Sequence, residues 1–336
     1  MVRVPLPPIP QIRKYLNTSF LTNPKIATKI ADSLNYNYNG KDLSILDVYS
    51  GNMLMSCALH NALRPNQHLL LEPRLAFSKH IDDHITSLSS SDSTSSHTME
   101  HLKLNPFNWS TYLELTDPKT GILQPGKETR DHIHSKLLMT GYIHEEGLLM
   151  QWLACMGNQN WIQRFGNVRM LLWVPEASAI KVLAGAGAAA RHKCSLVRET
   201  FSDTRLLATT DTPKLAKDAF DKTTLREGKT LVIDADDFSG SPMSLLEINP
   251  KDHSIEDVYS WDFVTKNLMI LRTKTVAESV RNLGAGAGEY FDDKLPRELM
   301  KKRVKDLVAD DFVHITRVFD LWAFKPDDLW ESTIDL

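Results

Sequence analysis

The chain has 336 residues, which is enough for one large domain and a smaller one. Its net charge of −3 excludes a globally basic nucleic-acid binder, so any nucleic-acid contact must come from locally clustered basic residues. The three cysteines (Cys57, Cys155 and Cys194) lie far apart, which argues against a disulfide framework or a structural zinc site, and no apolar run approaches a membrane span.

The first 31 residues are basic and contain no acidic residue. Such a leader is compatible with import into mitochondria. However, four prolines between Pro5 and Pro10 exclude an amphipathic helix at the very start, so an ordered basic arm is the alternative interpretation.

Six short apolar runs then alternate with helical patterns. The predicted strands are Leu43–Tyr49, His68–Glu72, His101–Leu104, Leu137–Gly141, Arg169–Val174 and Leu245–Ile248. Strands that alternate with helices predict an α/β fold with a mainly parallel sheet covered on both faces. Ser87–His97 is rich in serine and is predicted to be a flexible surface loop.

After about residue 253 the strand pattern stops, and apolar residues recur at helical spacing, as in Phe263 to Val280 and Phe312 to Leu321. We therefore predict two domains, an α/β domain over residues 1–252 and a helical C-terminal domain over residues 253–336.

The segment Ile45–Met55 is typical of a cofactor-binding α/β fold, because an apolar run reaches Asp47 and a turn follows. In a methyl-transferring fold this turn is rich in glycine, which lets the backbone approach the cofactor. The second strand of such a fold ends in an acidic residue that accepts hydrogen bonds from the ribose, and here Glu72 has that position. The acidic residues of the pattern are present, but of its glycines only Gly51 remains.

Together with Phe20–Ile30, these segments resemble the ribosomal RNA adenine dimethyltransferase family. The family's turn reads acidic-x-Gly-x-Gly-x-Gly, and Tyr49 and Met53 take its first and third glycine positions. The family's catalytic Asn-Leu/Ile-Pro-Tyr/Phe motif is replaced by Met139–Ile143, and its adenine-reading acidic residue by Asn105. The resemblance implies a Rossmann-like, S-adenosylmethionine-dependent methyltransferase fold that is not itself an enzyme. Its cofactor pocket, in which S-adenosylmethionine binding is vestigial or absent, would consist of Asp47, Tyr49, Gly51, Met53, Glu72 and Asn105.

The resemblance is closer to one branch of that family, the fungal mitochondrial transcription factors B. The matching blocks follow one another along most of the chain: Asn105–Tyr112, Gly147–Cys155, Asn160–Gly166, Met170–Pro175, His192–Glu199, Trp261–Leu271 and Phe324–Asp327. This branch implies an initiation factor in the mitochondrial matrix that joins the single-subunit mitochondrial RNA polymerase. Together they would recognise and melt promoter DNA, and the factor would hold the non-template strand.

Three aromatic residues, Phe107, Trp109 and Tyr112, lie close together in a polar segment after the third predicted strand. Aromatic faces at such a place can stack on unpaired bases, and the resemblance implies contact with the melted non-template strand. The alternative is that these residues fill the core, which is the favoured interpretation for Tyr112. Asn105–Phe107 also resembles the catalytic loop of amino-group methyltransferases, but it follows the third predicted strand, whereas that loop should follow the fourth.

Several basic residues are candidates for binding DNA phosphates. They are Arg164, Arg169, Lys181, Arg191 and Lys193. The alternative for each is an isolated surface charge. His80 and His84 share one helix face but have no third metal ligand at suitable spacing, so we predict no metal site. Two other functions stay open for the chain: an active ribosomal RNA adenine dimethyltransferase, and a docking subunit without nucleic-acid contact.

Overall fold

A computed structural model describes residues 3–10, 18–91, 99–210, 230–326 and 329, and all structural statements concern these residues. They contain one eight-stranded sheet. Its strands are β1 (Ser44–Val48), β2 (Gln67–Leu71), β3 (Met99–Leu102), β4 (Ile133–Tyr142), β5 (Asn167–Pro175), β6 (Ser202–Thr210), β7 (Leu231–Ile233) and β8 (Met243–Pro250).

Twelve α-helices are described in the same residues. They are α1 (Pro24–Ser33), α2 (Leu54–Leu63), α3 (Leu75–Ser91), α4 (Trp109–Leu115), α5 (Glu146–Asn158), α6 (Glu176–Leu183), α7 (Lys193–Phe201), α8 (Val258–Ile270), α9 (Val276–Ser279), α10 (Ala287–Lys294), α11 (Arg297–Lys301) and α12 (Ala309–Asp320). Among them, no helix is both long and apolar enough to cross a membrane. The first five residues of the predicted serine-rich loop continue α3 instead, and the rest of that loop lies outside the described residues.

The strand order is β3-β2-β1-β4-β5-β8-β6-β7. The first five strands of this order are parallel, whereas β8 runs antiparallel to both β5 and β6. The order reverses between β1 and β4, and the crevice beyond the carboxyl ends of strands at such a point is where open α/β sheets bind ligands. The predicted α/β fold class is confirmed, with the six predicted strands present and two further strands, β6 and β7, that the apolar pattern missed.

Helices cover both faces of the sheet. Successive side chains of a strand point to opposite faces, so one strand contributes to the packing on both sides. In β1, Ile45 belongs to a cluster of buried residues that includes residues of α1 to α3, while Leu46 and Val48 belong to a second cluster that includes residues of α5. This second cluster extends into the C-terminal helices, and within it the ring centroids of Phe201 and Trp261 lie 4.8 Å apart. The predicted boundary after residue 252 falls between the end of β8 and the start of α8, but one core joins the two sides, so the division into domains stays a prediction.

Candidate cofactor pocket and nucleic-acid interface

The turn after β1 has a left-handed backbone at three alternate residues. Tyr49, Gly51 and Met53 have φ angles of 52°, 60° and 60°. Glycine adopts this conformation freely, whereas a residue with a Cβ is strained in it. The backbone has therefore kept a glycine-type turn, although two of its three positions carry bulky side chains. Met53 is fully buried and precedes α2, and Tyr49 is half-buried.

The carboxylate of Glu72, at the end of β2, is fully buried and bonded to its own chain. Its Oε1 accepts hydrogen bonds from Arg74 Nε at 2.6 Å and from Arg74 N at 3.1 Å. Its Oε2 accepts from Arg74 Nη2 at 2.6 Å and from Gly51 N at 3.0 Å. A carboxylate offers about four lone-pair sites, so these four donors use its acceptor capacity. A ribose could bond to Glu72 only by displacing Arg74.

Tyr49 and Asn105 are joined across the end of β2. The Tyr49 hydroxyl donates to Asn105 Oδ1 at 3.1 Å, and the Arg74 guanidinium lies 5.2 Å from the centre of the Tyr49 ring. Because β2 lies between β1 and β3, this bridge crosses the place where Glu72 would meet a ribose. Burial, followed by the nearby charge of Glu145, raises the pKa of Tyr49 to about 12, so the phenol stays protonated at neutral pH. The residues present do not fit S-adenosylmethionine in this arrangement.

Asp47, in β1, is buried. Its Oδ2 lies 3.5 Å from Nε2 of His68, which is fully buried on β2. The His68 ring stacks on that of His60, with 5.6 Å between the ring centroids. Asp47 is thus engaged with a side chain of the neighbouring strand.

The N-terminal segment before α1 lies over the same turn. Asn52 Nδ2 donates to Leu21 O at 2.8 Å, and Leu21 N lies 3.4 Å from the Tyr142 hydroxyl. The Phe20 ring packs edge-on against Phe77 at 5.5 Å. The predicted Phe20–Ile30 motif therefore closes this part of the pocket.

The end of β4 carries Met139–Ile143 in place of an Asn-Leu/Ile-Pro-Tyr/Phe motif. Thr140 Oγ1 donates to Leu171 O at 2.9 Å, and the buried Tyr142 ring stacks on Trp173 at 6.0 Å. The Tyr142 hydroxyl lies near the backbone N of Leu21. In their present contacts these side chains pack and brace the sheet.

The segment 105–109, which we term the aromatic loop, presents two aromatic side chains at the surface. Phe107 and Trp109 are 47% and 46% exposed. Leu113, one turn of α4 beyond Trp109, is also half-exposed and was missed from the sequence. By contrast, Tyr112 is buried, donates to Pro106 O at 2.8 Å and packs edge-on against Trp161. Tyr112 therefore belongs to the core, the interpretation that the sequence favoured for it, and it is not available to bases.

Not all of the predicted basic residues lie at the surface. Arg191 is fully buried and donates to Ala184 O, Leu307 O and Glu199 Oε2 at 3.1, 2.8 and 2.8 Å. This residue joins α7 to the C-terminal helices. The prediction that it contacts DNA phosphates is therefore wrong. A loop arginine that reaches backbone carbonyls across the fold has no local sequence signal that distinguishes it from a surface charge.

The other four basic candidates are engaged at or near the surface. Arg164 donates to the Thr116 hydroxyl, and Arg169 Nε donates to Asn249 Oδ1 at 2.6 Å. Lys181 Nζ lies 2.7 Å from Glu146 Oε1, and Lys193 Nζ lies 2.6 Å from Asp262 Oδ1. Of these contacts only the Lys181–Glu146 pair is exposed on both sides, and an exposed ion pair contributes little to stability. Contact of these residues with DNA stays a prediction.

Arg74 is the residue of this site that sequence reasoning left without a role. The sequence did contain a signal for the Glu72–Arg74 ion pair, because these two residues of opposite charge lie two positions apart at the end of a predicted strand.

In the part of the chain that the structure describes, no three His, Cys, Asp or Glu side chains gather as metal ligands. His84 instead lies 3.1 Å from Pro5 O.

Comparisons with known proteins show which family the chain resembles. The family model described as ribosomal RNA adenine dimethylase matches residues 9–321. The chain is 39% identical over 327 residues to mitochondrial transcription factor 1 of Lachancea kluyveri, covering 94% of this chain and 93% of that protein. It is 36% identical over 341 residues to mitochondrial transcription factor 1 of Saccharomyces cerevisiae, covering 98% and 96%.

Among solved structures, a dimethyladenosine transferase from Plasmodium falciparum superposes with a TM-score of 0.56 at 12% identity, covering 90% of this chain and 97% of that one. This likeness concerns the fold alone. The chain therefore belongs to the ribosomal RNA adenine dimethylase family, and it is similar over nearly its whole length to the proteins named mitochondrial transcription factor 1.

Proposed function

We propose that the protein is a mitochondrial transcription initiation factor that acts without methyl transfer. It joins the single-subunit mitochondrial RNA polymerase in the matrix and supports promoter recognition and melting by holding the non-template strand. The names of its relatives support a role in mitochondrial transcription. The single observation that carries the mechanism is the exposure of Phe107 and Trp109 on the aromatic loop.

The physical step is the capture of unpaired bases. Opening a DNA duplex costs on the order of 1.4 kcal/mol per base-pair step. Stacking of a base on an aromatic side chain contributes roughly 1–3 kcal/mol. Two stacked bases can thus offset much of the cost of a short bubble. Basic side chains such as Lys181 and Lys193 would exchange their carboxylate partners for phosphates, which makes binding dependent on salt.

The absence of methyl transfer is part of the proposal and rests on the bonding of Glu72. Its acceptor sites are used by Arg74 and Gly51, and Tyr49 bridges to Asn105 across the same place. We infer that S-adenosylmethionine is not required and that any binding of it is vestigial.

A base analogue tests the proposed capture. It is placed on the non-template strand of a pre-opened promoter, and its fluorescence is followed with factor, polymerase or both. We expect a change that needs both proteins. Trp109→Ala should weaken the binding constant by about five- to a hundredfold, because it removes one stacking face. Tyr259→Ala removes a half-exposed aromatic ring from α8 and should leave the signal unchanged.

If Trp109→Ala and Tyr259→Ala have the same effect, the assignment of base capture to the aromatic loop is wrong. If the factor alone gives the same fluorescence change as the factor with polymerase, the protein is instead an independent single-strand binder.

The second candidate is an active ribosomal RNA adenine dimethyltransferase, which the retained Asp47 and Glu72 favour. Calorimetry with S-adenosylmethionine distinguishes it from the first. Micromolar affinity that disappears in Glu72→Ala, together with methylation of a ribosomal RNA hairpin, would establish this candidate. We expect neither result.

A further inference from the structure

We propose that Tyr49 is a positioning residue that holds the aromatic loop in the geometry in which Phe107 and Trp109 capture bases. The inference rests on the proposed function and deepens it. Tyr49 stands at a position where the family's turn has glycine, so its side chain occupies part of the former pocket and at the same time braces the surface beside it.

The contacts lead from the pocket to the loop without a gap. Asn105 Oδ1 accepts one hydrogen bond from the Tyr49 hydroxyl at 3.1 Å and a second from Phe107 N at 3.0 Å. An amide oxygen has two lone pairs, so both are used. The oxygen thereby links the turn after β1 to the backbone of the residue that carries the exposed Phe107 ring.

The rest of the aromatic loop is closed around the same asparagine. Asn105 O accepts from Asn108 N at 3.1 Å and from Thr111 Oγ1 at 2.8 Å, which joins the loop to the first turn of α4. A shift of Asn105 would therefore move both Phe107 and the start of the helix that carries Trp109.

Tyr49 is itself held on both sides. Its backbone N donates to Leu71 O at 2.8 Å, which fixes it to the end of β2. The Arg74 guanidinium lies 5.2 Å from the Tyr49 ring, and Glu72 holds that guanidinium with two hydrogen bonds of 2.6 Å. The contacts run in the order Glu72, Arg74, Tyr49, Asn105 and Phe107, and all are hydrogen bonds except the Arg74–Tyr49 ring contact. The buried carboxylate that once could serve a cofactor now anchors a surface loop.

Bracing of this kind raises affinity because a held loop loses less conformational entropy when a base stacks on it. The bound contacts stay the same, and only the cost of ordering the loop changes. Loss of the Tyr49 hydroxyl should therefore weaken base capture without removing either aromatic face.

The test is Tyr49→Phe, which removes one hydroxyl and keeps the ring beside Arg74. One hydrogen bond contributes about 0.5–1.5 kcal/mol, so we expect promoter binding, followed by the base analogue, to weaken about two- to tenfold. Hydrogen–deuterium exchange at the Phe107 amide should become faster in the free factor. Tyr290→Phe is the matched control, because it removes a hydroxyl that donates to Val318 O at 3.1 Å in the C-terminal helices. It should change neither measurement.

A double-mutant comparison separates positioning from a general loss of stability. In the Phe107→Ala, Trp109→Ala background, Tyr49→Phe should have no further effect on promoter binding, because no aromatic face remains to be positioned. Asn105→Ala should weaken binding at least as much as Tyr49→Phe, because it also removes the acceptor of Phe107 N, and adding Tyr49→Phe to Asn105→Ala should cause no further loss.

Three results would overturn the proposal. They are unchanged binding in Tyr49→Phe, unchanged exchange at Phe107, or an equal loss in the background without the aromatic rings. If Trp109→Ala itself leaves the base-analogue signal unchanged, the proposed function fails first and the positioning role fails with it. If Trp109→Ala weakens binding but Tyr49→Phe does not, only the positioning role is lost.

Discussion

Glu72 shows at the scale of one residue how a buried carboxylate is stabilised. A buried carboxylate is stable only when its oxygens are hydrogen-bonded and its charge is balanced. A bound ribose would supply neutral hydroxyl donors to such a group. Here Arg74 supplies a charge and three donors, and Gly51 supplies the fourth. The same carboxylate is thereby satisfied without a ligand.

Replacement of Arg74 tests this balance. Arg74→Met keeps most of the side-chain length but leaves the Glu72 carboxylate buried without its cation. We expect the free energy of unfolding in urea to fall by about 3 kcal/mol, the lower end for a broken buried pair, since Arg74 is partly exposed. Arg297→Met, at an exposed position in α11, is the control and should change it by less than about 0.5 kcal/mol. Equal values for the two variants would contradict the structural role of Arg74.

At the scale of one element, the pairing of the two central strands restricts the residue type at position 141. β1 and β4 pair in parallel from Ser44 with Leu137 to Val48 with Gly141. Gly141 has a φ of 149°, and a Cβ built on it would lie 1.9 Å from Val48 O. The close approach of the two strands at the carboxyl edge, beside the candidate cofactor pocket, therefore requires glycine.

Gly141→Ala should force β4 away from β1 at this point. We expect it to lower the free energy of unfolding by at least about 3 kcal/mol, because overpacking and a positive φ act together. Gly147→Ala in α5 is the matched control, since its Cβ would meet no atom within 4 Å. Alanine is the better helix former, so that variant should gain up to about 1 kcal/mol. Thermal and urea unfolding of the pair measure both effects, and a stable Gly141→Ala protein would show that the strand can relax.

At the scale of the whole molecule, the C-terminal helices and the sheet share one core. Besides the Phe201–Trp261 contact, the buried Arg191 donates to Leu307 O, and Glu199 Oε1 accepts from Ala309 N at 2.9 Å. Polar groups on α7 and just before it thus satisfy backbone groups that precede and begin α12. We expect the described parts to unfold together as one cooperative unit.

The stability of the whole molecule should depend on pH through its histidines. Burial lowers the pKa of several of them below the ordinary value of 6.5: His80, His84, His134, His144 and His192. A lowered pKa means that the unfolded state binds more protons, so this stability is present above pH 6.5 and is lost as the pH falls below it. The exposed His132 opposes the trend, because its bonds to Asp131 and Glu128 raise its pKa.

We therefore expect a lower free energy of unfolding at pH 5.5 than at pH 7.5, measured in urea at constant ionic strength. The carboxylates whose pKa is lowered lose their contribution only at more acidic pH, outside this window. His144→Gln should reduce the difference between the two pH values, because burial lowers the pKa of His144 and glutamine has no titrating ring. A free energy that stays constant or rises on acidification would show that these histidines titrate normally.

Much of the fold could be predicted from local pattern, but not all of it. The strands β1, β2 and β5 are buried on both faces and have continuous apolar runs, which is why they were found. β6 begins with four polar residues that include the exposed Asp203 and Arg205, so its composition does not indicate a buried strand. β7 has only three residues, fewer than a periodic pattern needs to be recognised.

The candidate site divides in the same way. Asp47, Gly51 and Glu72 could be placed from spacing alone, because the carboxyl ends of neighbouring parallel strands meet at one edge of the sheet. The sequence favoured burial of Tyr112, but the exposure of Trp109 depends on which face of α4 packs on Trp161, and a seven-residue helix has too little periodicity to decide it. The burial of Arg191 depends on the carbonyl of Leu307, which is 116 residues away.

By itself, the sequence determined the fold class, the family resemblance and the edge of the sheet at which the site lies, because these follow from the order of apolar runs and from local turn residues. Only the tertiary structure decided that Glu72 is bonded by Arg74, that Tyr49 reaches Asn105, and which aromatic and basic side chains stay exposed. The reason is physical. Hydrogen bonds and burial depend on distances between atoms of different elements, and these distances exist only after the sheet has assembled and the helices have packed on it.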